Sequence, residues 1–150
     1  MNERRRTKAT RWLPTCWMLL MGSLLSQAAL AMPPGPSLET LLDTSETVLG
    51  QEFEYPEGQA RITAQVVTVP PGQILPPHLH PVPLFAYVLQ GELIVDYGSE
   101  GEITYQKGDA LVEAIDWPHQ GRNGGRGVLK ILLVYAGAEG VPNSEPAELE

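Results

Sequence analysis

Three histidines, His78, His80 and His119, are the only ones in the chain, and their placement allows a single metal centre. His78 and His80 lie two residues apart, so on a strand both rings point to the same face. Two imidazoles on one face can share one cation, and a third ligand must then come from elsewhere. His119 is the candidate, arriving from a later strand after several hairpin turns. Imidazole nitrogen suits Zn, Fe, Ni and Cu, and three nitrogens leave positions open for water or substrate. A His-x-His pair alone is a weak signal, more often surface polar sequence than a metal site, so its surroundings decide.

Those surroundings read as short strands. The 15 glycines and 14 prolines are spread between apolar runs, as in many strands joined by turns. Arg61 to Val69 alternates, with Ile62, Ala64, Val66 and Thr68 on one face, and Pro70-Pro71-Gly72 ends it. Leu84 to Leu89 is nearly continuous in apolar residues, Glu92 to Tyr97 alternates again, and Glu102 to Tyr105 and Ala110 to Ile115 follow after turns. Gly127 to Ala136 is apolar on both faces and belongs in the centre of a sheet. Between Ser37 and Gly50, Leu38, Leu41 and Leu42 could form a helical turn, but Thr44 to Val48 favours an edge strand. Six to eight strands without a convincing helix predict an antiparallel sandwich or barrel. No glycine-rich phosphate loop follows a strand, and no G-x-S-x-G elbow is present.

The run from Val69 to His80 resembles the first motif of the cupin family, with Gly72, His78, His80 and Gly91 in register. Gly108 to Glu113 and Trp117 to Asn123 resemble the second motif, with Gly108, His119 and Asn123 in register, while Ala114 and Asp116 replace its Pro and Gly. The resemblance spans roughly Arg61 to Ala136. It implies an all-β, single-domain cupin-type jelly-roll β-barrel that holds one divalent metal ion (Fe, Zn, Mn or Ni) through His78, His80 and His119. The glutamate that usually gives the fourth ligand would stand at position 84, where this chain has Leu84. The implied site is therefore three-histidine, with a metal of higher effective charge and an apolar wall beside it. Thiol dioxygenases are similar in lacking that acid, which points to a metal-dependent oxygenase acting on a small molecule. The alternatives are a non-catalytic small-ligand binding or sensing module, and an isomerase or hydrolase using zinc-bound water. No catalytic residue beyond the metal ligands is singled out, and no organic cofactor. Glu113 is expected to be a solvated strand acid rather than one that orients an imidazole. Phe85, Tyr87 and Leu89 are expected to face away from the metal, and Asn123 to fix a strand end. Small cupins of this kind pair, so a homodimer is expected.

The first residues belong to export rather than to the fold. Arg4, Arg5, Arg6, Lys8 and Arg11 form a basic head, Cys16 to about Leu25 is apolar, and Ala29 and Ala31 fit the small-x-small rule. This is the order of a secretory signal peptide over 1–31, cut after Ala31, which predicts a periplasmic or secreted protein. Its removal takes five of the ten basic residues and only Glu3 of the acids, leaving 5 basic against 17 acidic residues, a net charge of −12. That balance disfavours nucleic acid and, once the signal is cut, membrane surfaces as partners, leaving a small-molecule ligand or substrate. It also removes the one cysteine, so neither disulfides nor thiolate ligands are available. The expected organisation is an extended segment and edge strand over 32–60, a barrel over 61–136, and an acidic flexible tail over 137–150.

Overall fold

The computed structural model describes residues 35–149; the signal peptide expected over 1–31 lies outside the described residues. Nine strands follow in order: β1 (Ala60–Val69), β2 (His78–Leu79), β3 (Leu84–Gln90), β4 (Glu92–Asp96), β5 (Glu102–Gln106), β6 (Ala110–Val112), β7 (Gln120–Asn123), β8 (Leu129–Ala138) and β9 (Glu145–Pro146). The only helical element among the described residues is one 3-10 turn, Gly98–Glu100, which closes the β4–β5 hairpin. No described helix is long and apolar enough to cross a membrane.

The strands form a jelly-roll barrel from two facing antiparallel sheets, β1-β8-β3-β6 and β5-β4-β7, with β2-β9 as a small third ladder. Its sheets are not closed by one continuous ladder. Period-two patterning decides what faces inward. Leu84, Ala86 and Val88 of β3 are buried, as are Leu93 and Val95 of β4, and they meet Leu129 and Ile131 of β8 in the core. The doubly apolar β8 runs between β1 and β3, as its composition predicts. A smaller cluster of Val82, Leu84 and Tyr135 lies beside it.

The chain passes from one sheet to the other at Gly91, the single residue between β3 and β4. Its φ is +85°, and a Cβ there would lie 2.9 Å from the Leu129 Cα. Only glycine satisfies both conditions, which explains this motif position. Asn123 holds the opposite corner: its amide donates to the carbonyls of Val69 (2.9 Å) and Gly127 (2.8 Å), and its oxygen accepts from the Gly125 N–H.

Two expectations are corrected. No edge strand forms between 37 and 50; a single bridge pairs Glu46 with Glu52. The Thr47 hydroxyl takes the Leu49 and Gln51 N–H groups for itself, a local bonding pattern that competes with a ladder. The acidic tail expected to be flexible over 137–150 is also built into the fold at its described residues. Strand β8 continues to Ala138, and β9 pairs His78 with Pro146 and Leu79 with Glu145.

Candidate metal centre

Backbone pairing brings the three histidines together. His78 and His119 exchange both main-chain hydrogen bonds, at 3.0 and 2.9 Å, so their side chains stand side by side on one face. His80 is fixed separately, its carbonyl accepting from the Asp116 N–H at 2.9 Å. Asp116 stands where the second motif has glycine, and it is the one non-glycine residue of positive φ (51°) among those described. Aspartate tolerates that conformation better than most residues. Ring centroids lie 4.9 Å apart for His78 and His80, 4.6 Å for His78 and His119, and 5.1 Å for His80 and His119.

The ring nitrogens have divided roles. Nδ1 of His78 lies 2.8 Å from the Pro76 carbonyl, Nδ1 of His80 2.8 Å from that of Asn143, and Nδ1 of His119 2.8 Å from that of Trp117. A carbonyl only accepts, so each Nδ1 carries the proton and each Nε2 keeps its lone pair. Possible ligand atoms from the three residues lie within 4.8 Å of one another. Burial pushes the His80 pKa down to about 3 and lowers that of His78, with the carbonyl hydrogen bonds opposing. Imidazoles oriented in this way fit a divalent cation.

The histidines line one end of a small cavity of about 60 Å³, whose walls include Leu84, Ala86, Leu93, Ile131 and Leu133. Leu84 thus sits beside the site, as an apolar wall. Phe85 and Tyr87, on the alternate positions of β3, point away from it.

Glu113 differs from expectation. It is 5% exposed, lines the same cavity, and carries Oε2 at 3.9 Å from the His119 Nε2. The Tyr97 hydroxyl donates to its Oε1 at 2.6 Å, and the Ala114 N–H donates to the same oxygen at 3.0 Å. A strand acid normally faces solvent; this one points inward because it keeps the alternation of buried Leu111, its N–H donating to the carbonyl of inward-facing Leu84 at 2.9 Å. Tyr97, which reaches the cavity through Glu113, and Tyr135, which lines it, are further polar groups that spacing arguments missed. Both hydroxyls are pushed to higher pKa by burial, so they remain protonated donors. Alternation along Leu93, Val95 and Tyr97 is the signal that would have found the first.

The fold and cluster define a jelly-roll β-barrel whose three histidines could hold a metal ion. Residues 65–135 match the family model described as Cupin domain, so the barrel is a cupin domain. No curated protein matches the sequence. Among solved structures it is similar to the oxalate decarboxylase of Lactobacillus farciminis in its formate complex, at 26% identity over 59% of this chain and 27% of that one, TM-score 0.51. It is similar to the DMSP lyase DddQ of Ruegeria pomeroyi at 22% identity over 59% of this chain and 44% of that one, TM-score 0.51. An uncharacterized Klebsiella pneumoniae protein with a double-stranded β-helix domain aligns at 18% identity over 76% of this chain and 99% of its own, TM-score 0.49. The chain therefore spans about a quarter of the length of the first and under half of the second.

Proposed function

We propose that this cupin is exported and uses one divalent metal, held by His78, His80 and His119, to act on a small molecule. The observation that carries the proposal is the set of three Nδ1–H groups, each bonded to a carbonyl, which leaves three Nε2 lone pairs facing one small space. A metal there supplies Lewis-acid polarisation and, as iron, the redox capacity for oxygen chemistry. The protein's own part is to bind and exclude. Leu84, Ala86 and Leu133 keep water from the inner wall, so a substrate presents a polar head to the histidines and a compact apolar body to the barrel. Tyr135, whose ring lies 5.5 Å from that of His80, offers a protonated hydroxyl at the same end. The two structural neighbours named for their reactions, an oxalate decarboxylase and a DMSP lyase, are both named for small-molecule substrates. Oxygenation of a small molecule is the reaction placed first, because an apolar wall beside open metal positions admits O₂ readily.

A second reading, a periplasmic binding or sensing module without turnover, draws support from the tail. Strand β9 pairs with β2, and Ser144, Glu145 and Pro146 line a neighbouring cleft together with His78 and Tyr135, where a ligand could be held. An exported chain takes its metal outside the cytosol, where Zn and Cu outcompete Fe(II) at nitrogen ligands. Metal analysis of protein purified from its native compartment separates the readings. Bound iron with O₂ consumption supports the oxygenase, and bound zinc without turnover supports the binding module. Substitution His80→Ala is expected to abolish stoichiometric metal binding, and undiminished metal content in that variant would sink both.

A further inference from the structure

We infer that Glu113 is a fourth, anionic metal ligand, standing in from the neighbouring strand for the carboxylate that position 84 lacks. The inference rests on the three-histidine reading above and adds to it a residue that the family motif does not place there.

Register is the first argument. Strands β3 and β6 pair Tyr87 with Ala110, Ala86 with Leu111 and Phe85 with Val112. One step further, the Glu113 N–H donates to the Leu84 carbonyl at 2.9 Å, so Glu113 is the residue opposite Leu84. Opposite residues of an antiparallel pair project from the same face, their Cβ atoms about 4.5–5.5 Å apart. A carboxylate at 113 therefore enters the cavity one strand away from a carboxylate at 84.

Direction is the second. An acid that merely orients a ligating imidazole sits behind the ring, on its other nitrogen. In His119 that nitrogen, Nδ1, is taken by the Trp117 carbonyl. Glu113 Oε2 instead approaches Nε2, at 3.9 Å, on the side where the three lone pairs converge. That separation is too long for a hydrogen bond, and about half an ångström longer than the roughly 3.4 Å that two ligands of one tetrahedral ion keep, so a small rotation of the side chain brings Oε2 to the ion.

Charge is the third. A buried carboxylate without a counter-charge costs several kcal/mol. Among the described residues no lysine or arginine lies within ion-pair distance of Glu113. Tyr97 and Ala114 both bond Oε1, which fixes the carboxylate plane and leaves Oε2 facing the histidines without a hydrogen-bond donor. A divalent ion held among the three imidazoles provides a positive charge beside it, and the Tyr97 bond is the outer partner that ligating carboxylates commonly have.

The test is a cobalt(II) titration of chelator-stripped protein against a competing chelator, read as affinity and as the d–d absorption of the bound ion. Wild-type protein binds one equivalent. Glu113→Gln loses affinity by about a hundredfold or more, beyond the roughly 10–100-fold of a lost outer partner, and its absorption changes with the donor set. Adding Leu84→Glu to that variant restores affinity to within about tenfold of wild type, since the acid then returns to the paired position. Glu113→Gln with unchanged affinity and spectrum overturns the inference while leaving the three histidines in place. Wild-type protein that binds no cobalt overturns both. Should Glu113→Gln fail to fold by circular dichroism, a crystal structure of zinc-loaded wild type decides. A Zn–Oε2 distance of about 2.0–2.2 Å supports the ligand, and one beyond about 3 Å, outside that ligand range, overturns it.

Discussion

A histidine becomes a ready ligand only if it stays neutral, and the barrel arranges this by burial. His80 is 2% exposed, and desolvation, the largest cause, holds its pKa near 3 against the contribution of the Asn143 carbonyl. The sign of the stability effect follows. In the unfolded chain the ring titrates near 6.5, so below that pH the unfolded state binds a proton that the folded state refuses. Stability is fully present above about 6.5 and is lost as pH falls toward 3. Chelator-stripped protein should therefore show a urea midpoint that is flat above pH 7 and declines below about 6.5. The decline should be shallower in His80→Asn; a midpoint that rises on acidification contradicts the assignment. Trp117 gives a second readout. Its indole donates to the Tyr97 carbonyl at 3.0 Å, and its own carbonyl accepts from His119. It is the only tryptophan among the described residues. Metal binding at His119 Nε2 strengthens the Nδ1–H donor and alters the polarity around the indole. Titrating zinc is expected to change Trp117 emission, levelling off at one equivalent; flat emission counts against His119 as a ligand.

Among the elements, the tail is the one whose role composition concealed. Residues 139–149 are rich in acids and prolines, yet Ala147 donates to the Pro77 carbonyl and Asn143 accepts from His80. The tail thus sets the tautomer of one candidate ligand, and Val141 packs against the small cluster of Val82, Leu84 and Tyr135. Deleting residues 140–150 should leave the barrel folded, because the main core cluster contains none of them. Loss of the Asn143 carbonyl should weaken metal affinity by about tenfold, the lower end for an outer partner of a ligand. Competition titration with far-UV circular dichroism checks both, and a truncated protein of undiminished affinity refutes the coupling. The same contrast explains what could be read from residues alone. Strands β1, β3, β4 and β8 carry their own alternation, and the two histidine motifs carry their own spacing, so these were legible. Strand β9 has two residues and exists only because β2 is beside it. Glu113 looks like any strand acid until the β3–β6 register sets it opposite Leu84. What escaped the sequence is what depends on a partner distant in the chain.

At the scale of the whole molecule, the outer face of the larger sheet remains to be covered. Val66, Leu132 and Tyr87 stand in one row across β1, β8 and β3, and Ala64, Val134 and Phe85 in the next. Their neighbours along the strands, such as Ile131 and Ala86, are buried in the core, so these two rows point outward. At the free edge of the sheet Ile62 is 66% exposed and Val66 56%. The described residues contain no cysteine, and a small barrel without a disulfide gains from hiding such a surface. A second copy is the occupant that fits, because an apolar sheet face packs against its own image across a two-fold axis. An unpaired apolar edge is otherwise a liability that charges or prolines guard against, and β1 carries on its outward positions Ile62, Ala64, Val66 and Thr68. The expected state is a homodimer at micromolar concentration, with a melting temperature that rises with protein concentration. Val66→Lys places a charge in the middle of the row and should shift the protein to monomer. It should leave metal stoichiometry intact, since Val66 lies on the face opposite the cavity. Sedimentation equilibrium measures both forms, and wild-type protein that sediments as a monomer at micromolar concentration refutes the interface.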